Sequence, residues 1–150
     1  MVSDVNTPLF WEHIYQNERP RWDIGYATPV FAEWLANRNQ FGTGAIAVLG
    51  CGTGHDAGLF HTNGFDVTAI DFAESPLRTL QKNYPGIRTL QKDIFELHET
   101  HRESFDFVLE YTCFCAIDPL RRDEYVDVVH SILKPDGRLI GLFFPLDERP

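Results

Sequence analysis

From residue 45 onward, short unbroken apolar runs alternate with amphipathic stretches, and this alternation restricts the fold more than any other feature of the chain. It is the pattern of repeated strand and helix units around a mainly parallel sheet, an α/β architecture. Residues 45–49 (AIAVL) read as a central strand buried on both faces. A helix is expected after Gly54, with Ala57, Leu59 and Phe60 inward, ending at Asn63-Gly64, where glycine takes the left-handed turn that closes a helix. Residues 65–70 are the second strand, and Ser75-Pro76 reads as the hydroxyl cap and first-turn proline of a second helix that buries Leu77, Leu80 and Tyr84. Residues 87–90 and 105–111 are strands three and four, with a polar segment at 98–103 between them. Asp118-Pro119 repeats the helix-start signal, after which Tyr125, Val128, Val129, Ile132 and Leu133 recur at i, i+3, i+4, i+7 and i+8. A turn at 134–137 (KPDG) leads to a fifth strand at 138–144, stopped by Pro145.

Residues 1–44 hold all three tryptophans, Trp11, Trp22 and Trp34. Thr28-Pro29 starts a helix whose Val30, Phe31, Trp34 and Leu35 form one face, so Trp34 belongs to the core. Trp11 and Trp22 fit no such stripe. The 150 residues, 43% hydrophobic and 13% aromatic, suffice for one packed core, and the absence of linker, repeat or low-complexity tract leaves a single domain. The formal charge is −9, from 13 basic and 22 acidic side chains spread along the chain, which disfavours a nucleic-acid partner held by phosphate contacts. The start has no basic segment followed by an apolar one, and no run of about 18 apolar residues occurs, so neither secretion nor a membrane is expected. Cys51, Cys113 and Cys115 are odd in number and the last two are too close to staple anything, which suits a reducing cytoplasm.

Gly50, Gly52 and Gly54 lie directly between strand one and its helix, where missing side chains let a ligand approach backbone N–H groups. Asp71, 17 residues after Gly54, follows strand two, where a carboxylate accepts hydrogen bonds from both hydroxyls of a ribose. Asp93 follows strand three and Tyr111 ends strand four, so all four strand ends face one rim, the ligand crevice of an open α/β sheet. A nicotinamide fingerprint wants glycine at the sixth position of its loop, which here is His55, and the spacing favours S-adenosylmethionine over NAD. Cys113 and Cys115 read as small buried hydrophobes and Cys51 as a residue chosen for size. His98 and His101 have metal-ligand spacing, but no cysteine or carboxylate cluster completes a site, and no metal is expected.

The stretches RWDIGYATP (21–29), LGCGTGHD (49–56), AIDFAESPL (69–77), QKDIF (91–95), EYTCFCAIDP (110–119) and LKPDGRLIGLFFP (133–145) resemble class I methyltransferases of the thiopurine methyltransferase superfamily, and more closely its halide/thiol branch. The resemblance implies a Rossmann-like sheet in the order 3-2-1-4-5 flanked by helices, with S-adenosylmethionine as cofactor and S-adenosylhomocysteine as product. It places Gly50, Gly52 and Asp71 at the methionine part and ribose, Asp93 and Ile94 at the adenine, and Tyr111 beside the sulfonium. It also implies an N-terminal aromatic cover of Trp11, Tyr15 and Trp22, with tyrosine where the family pattern has tryptophan. Tyr111 is then the candidate to position the acceptor, a small molecule with a soft nucleophile such as a thiol, hydrosulfide or halide. A thiopurine or metalloid acceptor, or a protein that binds the cofactor without turnover, are the alternatives. Strands 6 and 7 of that fold have no counterpart before residue 150, which points to a fragment or a reduced form and leaves strand five at an edge, with self-association as the expected consequence.

Overall fold

The computed structural model describes residues 4–38 and 42–144, so Pro145 and the expectations attached to it lie outside the described residues. Five parallel strands form one sheet in the order β3-β2-β1-β4-β5. They are β1 (Ala45–Leu49), β2 (Asp66–Asp71), β3 (Arg88–Gln91), β4 (Phe105–Tyr111) and β5 (Leu133–Leu142). The strand order is the one the resemblance implied. Residues alternate across β1: Ile46 and Val48 pack with Phe31, Phe60 and Leu80 on one face, while Ala47 and Leu49 meet Leu97, Tyr125, Val128 and Ile132 on the other. The first face is covered by α2 (Pro29–Asn37), α3 (His55–Thr62) and α4 (Glu74–Asn83), the second by α5 (Leu97–Thr100) and α6 (Arg122–Ile132).

Asn63 caps α3 and Gly64 follows at φ +89°, as the Asn-Gly signal required. Other expectations need correction. Ser75 does not cap the second helix: α4 begins at Glu74, one residue before it, and the acceptor for its first amides comes from elsewhere in the chain. Val30 is 52% exposed, because Phe31 and Leu35 are the residues α2 buries, and Trp34 is half-buried, stacked on Phe60 with centroids 6.3 Å apart. The polar segment at 98–103 is partly helical, since Leu97 is fully buried and anchors the short α5. The turn at 134–137 sits inside β5: Phe105 pairs with Leu133 and Phe107 with Arg138, so the turn loops out of a strand that has already begun. A helix that the sequence reading lacked, α1 (Pro8–Asn17), precedes the core and packs against α4. Its Thr7-Pro8 start repeats the signal that opened α2, but Trp11 and Tyr15 do not enter the sheet core, so the stripe is short.

Candidate active site

The carboxyl ends of β1, β2 and β4 and the loops after them face α1 and the segment that follows it. Between them lies a cavity of about 540 Å³, within the roughly 300–1,000 Å³ range usual for small-molecule sites. Gly50, Asp71, Asp93 and Ile94 line its sheet side, and Trp11, Tyr15 and Trp22 its outer side. Gly52 and Tyr111 line instead an adjoining recess of about 70 Å³, which shares Tyr15, Trp22 and Gly50 with the main cavity. All nine residues singled out from the sequence therefore border one compartment or the other.

The glycine loop is shaped by its neighbours. A side chain at Gly54, which sits at φ +87°, would come within 2.3 Å of Leu80 Cδ1, so only glycine lets α3 start this close to α4. At Gly52, with φ +54°, an added Cβ would stand 3.0 Å from the Tyr15 hydroxyl, which lies directly over the loop.

Asp71 is 6% exposed and tied on both oxygens: Oδ2 accepts from Gly52 N at 3.1 Å and Oδ1 from Ala73 N at 3.0 Å. Burial pushes its carboxyl up to about 6, against the pull of those amides. A carboxylate offers about four lone-pair sites, so acceptor capacity remains for donors from a ligand. Asp93 caps a 3₁₀ turn at Ile94–Glu96 by accepting from Phe95 N at 3.0 Å, which fixes the carboxylate at the cavity wall.

The outer wall is a set of edge-to-face aromatics. Trp22 packs against Trp11 at 5.8 Å and Tyr15 at 6.3 Å between centroids, and the Trp11 indole N–H donates to Val5 O at 2.9 Å. Burial, and then the Asp71 charge, push the Tyr15 hydroxyl up, so it stays protonated. Carboxylates pin this wall to the helices beneath it. Glu12 of α1 accepts from Glu74 N at 2.9 Å, from Ser75 N at 3.0 Å and from the Ser75 hydroxyl, and so supplies the cap of α4. Asp23, next to Trp22, accepts from the Thr53 hydroxyl at 2.7 Å and pairs with His55 Nε2 at 3.0 Å. Asp56 of α3 accepts from both Thr28 N at 2.7 Å and its hydroxyl at 2.9 Å.

Sequence reading missed Glu12, Asp23 and Asp56, whose partners lie far along the chain. It also missed Phe72, Thr112, Ile117 and Arg121 on the cavity wall. Arg121 stacks 3.5 Å over the Phe95 ring while paired with Glu124. Cys113 lines the cavity, and burial pushes the Cys51 and Cys113 thiols well up, as inert small residues require. Cys115 departs from that reading: it lines the cavity from an exposed position. Among the described residues no group of three or more His, Cys, Asp or Glu is placed to hold a metal ion, and no helix is long and apolar enough to cross a membrane.

The family model of thiopurine S-methyltransferase matches residues 6–150. The chain belongs to the thiopurine S-methyltransferase family. It is 35% identical over 155 residues to a probable thiol methyltransferase 2 of Arabidopsis thaliana, covering 99% of this chain and 67% of the relative. It is 32% identical over 144 residues to thiocyanate methyltransferase 1 of the same plant, covering 92% of this chain and 62% of the relative. This family member thus spans about two thirds of the length of the curated relatives it matches. Among solved structures, the 1,6-didemethyltoxoflavin-N1-methyltransferase of Burkholderia thailandensis, which has 1,6-didemethyltoxoflavin and S-adenosylhomocysteine bound, superposes with a TM-score of 0.77. It is 26% identical, over 94% of this chain and 62% of that one. The Rossmann-like class I methyltransferase fold of the family is the fold of this chain.

Proposed function

We propose that the protein transfers a methyl group from S-adenosylmethionine to a small soft nucleophile, a thiol, hydrosulfide or halide. The observation that carries this is the placing of Asp71 and Asp93 opposite Trp11, Tyr15 and Trp22 across one cavity, in a chain of this family. The residues present fit the cofactor. Asp71 keeps acceptor capacity for the hydroxyls of a ribose. Asp93 and Ile94 on the cavity wall would meet the adenine, and Gly50 and Gly52 would leave backbone open to the methionine part. When bound, the cofactor supplies an electrophilic methyl on a sulfonium, and the chemistry is its own.

The contribution of the chain is to bind, align and dry the reactants. Aromatic faces such as those of Trp11, Tyr15 and Trp22 favour a nearby cation by roughly 0.5–2 kcal/mol once water is excluded, and the same wall keeps water from the reacting centre. A thiol with a pKa near 8.5 is already a few per cent thiolate at neutral pH, and a halide has no proton to lose. No general base is then needed, and rate comes from in-line alignment, with Tyr111 at the recess edge positioning the acceptor. The thiol and thiocyanate methyltransferase relatives support a soft acceptor.

The test is an acceptor panel of iodide, hydrosulfide, thiocyanate and a thiopurine, with headspace and product analysis. Methylated product from one or more of the first three at rates well above the thiopurine is expected. Turnover confined to the thiopurine would refute the small-acceptor reading, and none with any acceptor would refute transfer itself.

A further inference from the structure

A third cavity, of about 280 Å³, lies beside the main one, walled by Phe114, Leu142, Phe143 and Phe144 together with Glu110 and Arg122. Thr112 lines this cavity, the main cavity and the small recess alike. It stands at φ +63°, a left-handed conformation that β-branched residues avoid and glycine takes freely.

The surroundings hold it there. Glu110, 1% exposed, accepts from Phe114 N at 2.7 Å and from the Tyr125 hydroxyl, so the chain must turn sharply between Glu110 and Phe114. The Thr112 hydroxyl donates to Tyr111 O at 2.6 Å, which fixes the side-chain rotamer and with it the methyl group. Residues kept in such sparsely populated conformations cluster at functional sites. Glycine would suit the backbone, yet a branched side chain stands where the three spaces meet.

We propose that Thr112 is a specificity-determining residue of the acceptor site. With Cys115 and Phe144, which also line both spaces, its fixed side chain stands between the main cavity and the chamber beside it and limits the acceptor to small nucleophiles. This rests on the methyl-transfer reading above. Removing the side chain would widen the passage between the two spaces and admit a flat apolar thiol.

The test compares wild type with Thr112→Gly, which removes bulk and strain, and Thr112→Val, which keeps the bulk and loses the hydroxyl. Each is saturated with S-adenosylhomocysteine and titrated with thiophenol by calorimetry, then assayed for methylation of hydrosulfide and thiophenol. Thr112→Gly should melt a few degrees higher than wild type, bind S-adenosylhomocysteine within threefold of wild type, and bind thiophenol at least tenfold more tightly. Its thiophenol-to-hydrosulfide rate ratio should rise at least tenfold, while Thr112→Val keeps the wild-type ratio. Wild-type thiophenol affinity in Thr112→Gly would overturn the proposal, as would an equal gain in Thr112→Val. Discrimination in binding without turnover in any variant would uphold the role of Thr112 and overturn methyl transfer, so the two failures are distinct.

Discussion

Asp71 joins the glycine loop to the loop after β2, and its ionisation is set against its burial. Its carboxyl lies at about 6 against an ordinary 3.8, so the folded state takes up a proton as pH falls through that window. Stability from this group is fully present below the ordinary value and is lost as pH rises through 6, a cost on the order of 3 kcal/mol at neutral pH. Ligand binding runs the other way, because ribose hydroxyls donate to the ionised form. Affinity for S-adenosylhomocysteine is therefore expected to be flat above pH 7 and to fall toward tenfold per pH unit below 6, while the melting temperature of the free protein gains from the same protonation. Calorimetry and thermal melts from pH 5 to 8 check both, and an affinity flat down to pH 5 would remove Asp71 from the binding site. Asp71→Ala is expected to weaken binding roughly 10- to 100-fold, from the loss of charge-assisted bonds of about 1.5–3 kcal/mol. Asp71→Asn, which keeps the shape and loses the charge, should lose most of the same affinity.

At the level of elements, the outer wall is held by carboxylates that reach the starts of the helices following the ligand-facing strand ends. Glu12 caps α4 from 63 residues away in sequence, and Asp23 clamps the segment carrying Trp22 to Thr53 and His55 at the start of α3. Glu12→Ala should cost about 0.5–2 kcal/mol, the usual range for a lost helix cap, and so lower the melting temperature by several degrees. A melt unchanged by that substitution would show that Glu12 adds nothing to the start of α4. Cofactor should change the fluorescence of Trp11 and Trp22 and leave Trp34, stacked on Phe60 away from the cavity, nearly silent; single-tryptophan variants separate the three. Such long-range caps explain what was illegible. A cap read from sequence is sought among adjacent residues, so Ser75-Pro76 took the role that Glu12 fills. Thr112 was equally hidden, because its left-handed turn is imposed by a carboxylate and a tyrosine that meet only in the folded core. The apolar runs of β1 and β4, by contrast, are local signals, and the acids at strand ends became site candidates once those runs were placed.

For the whole molecule, the order β3-β2-β1-β4-β5 brings Gly50, Asp71 and Asp93 to one side of the sheet, which is why residues up to 43 positions apart were identifiable as one site. Among the described residues β5 is an edge, and Leu139, Phe143 and Phe144 are exposed beside it. The stretch from Leu139 to Phe144 is apolar and uncharged, with Lys134, Asp136 and Arg138 earlier in the same strand, and an edge segment of this kind favours pairing with another chain. Concentration-dependent association is the expected result in sedimentation, reduced by Leu139→Lys. Leu139 is chosen because Leu142 packs on the core and a lysine there would damage the fold. A monomer at every concentration would show that this edge is shielded. The claim on which the rest depends is that the cavity between the strand ends and the aromatic wall takes the methyl donor. Titration of the folded protein with S-adenosylhomocysteine at pH 7.5 tests it most directly. A saturable one-to-one isotherm, weakened at least tenfold by Asp71→Asn, is the predicted result, and absence of binding by a chain with an intact cooperative melt would contradict it.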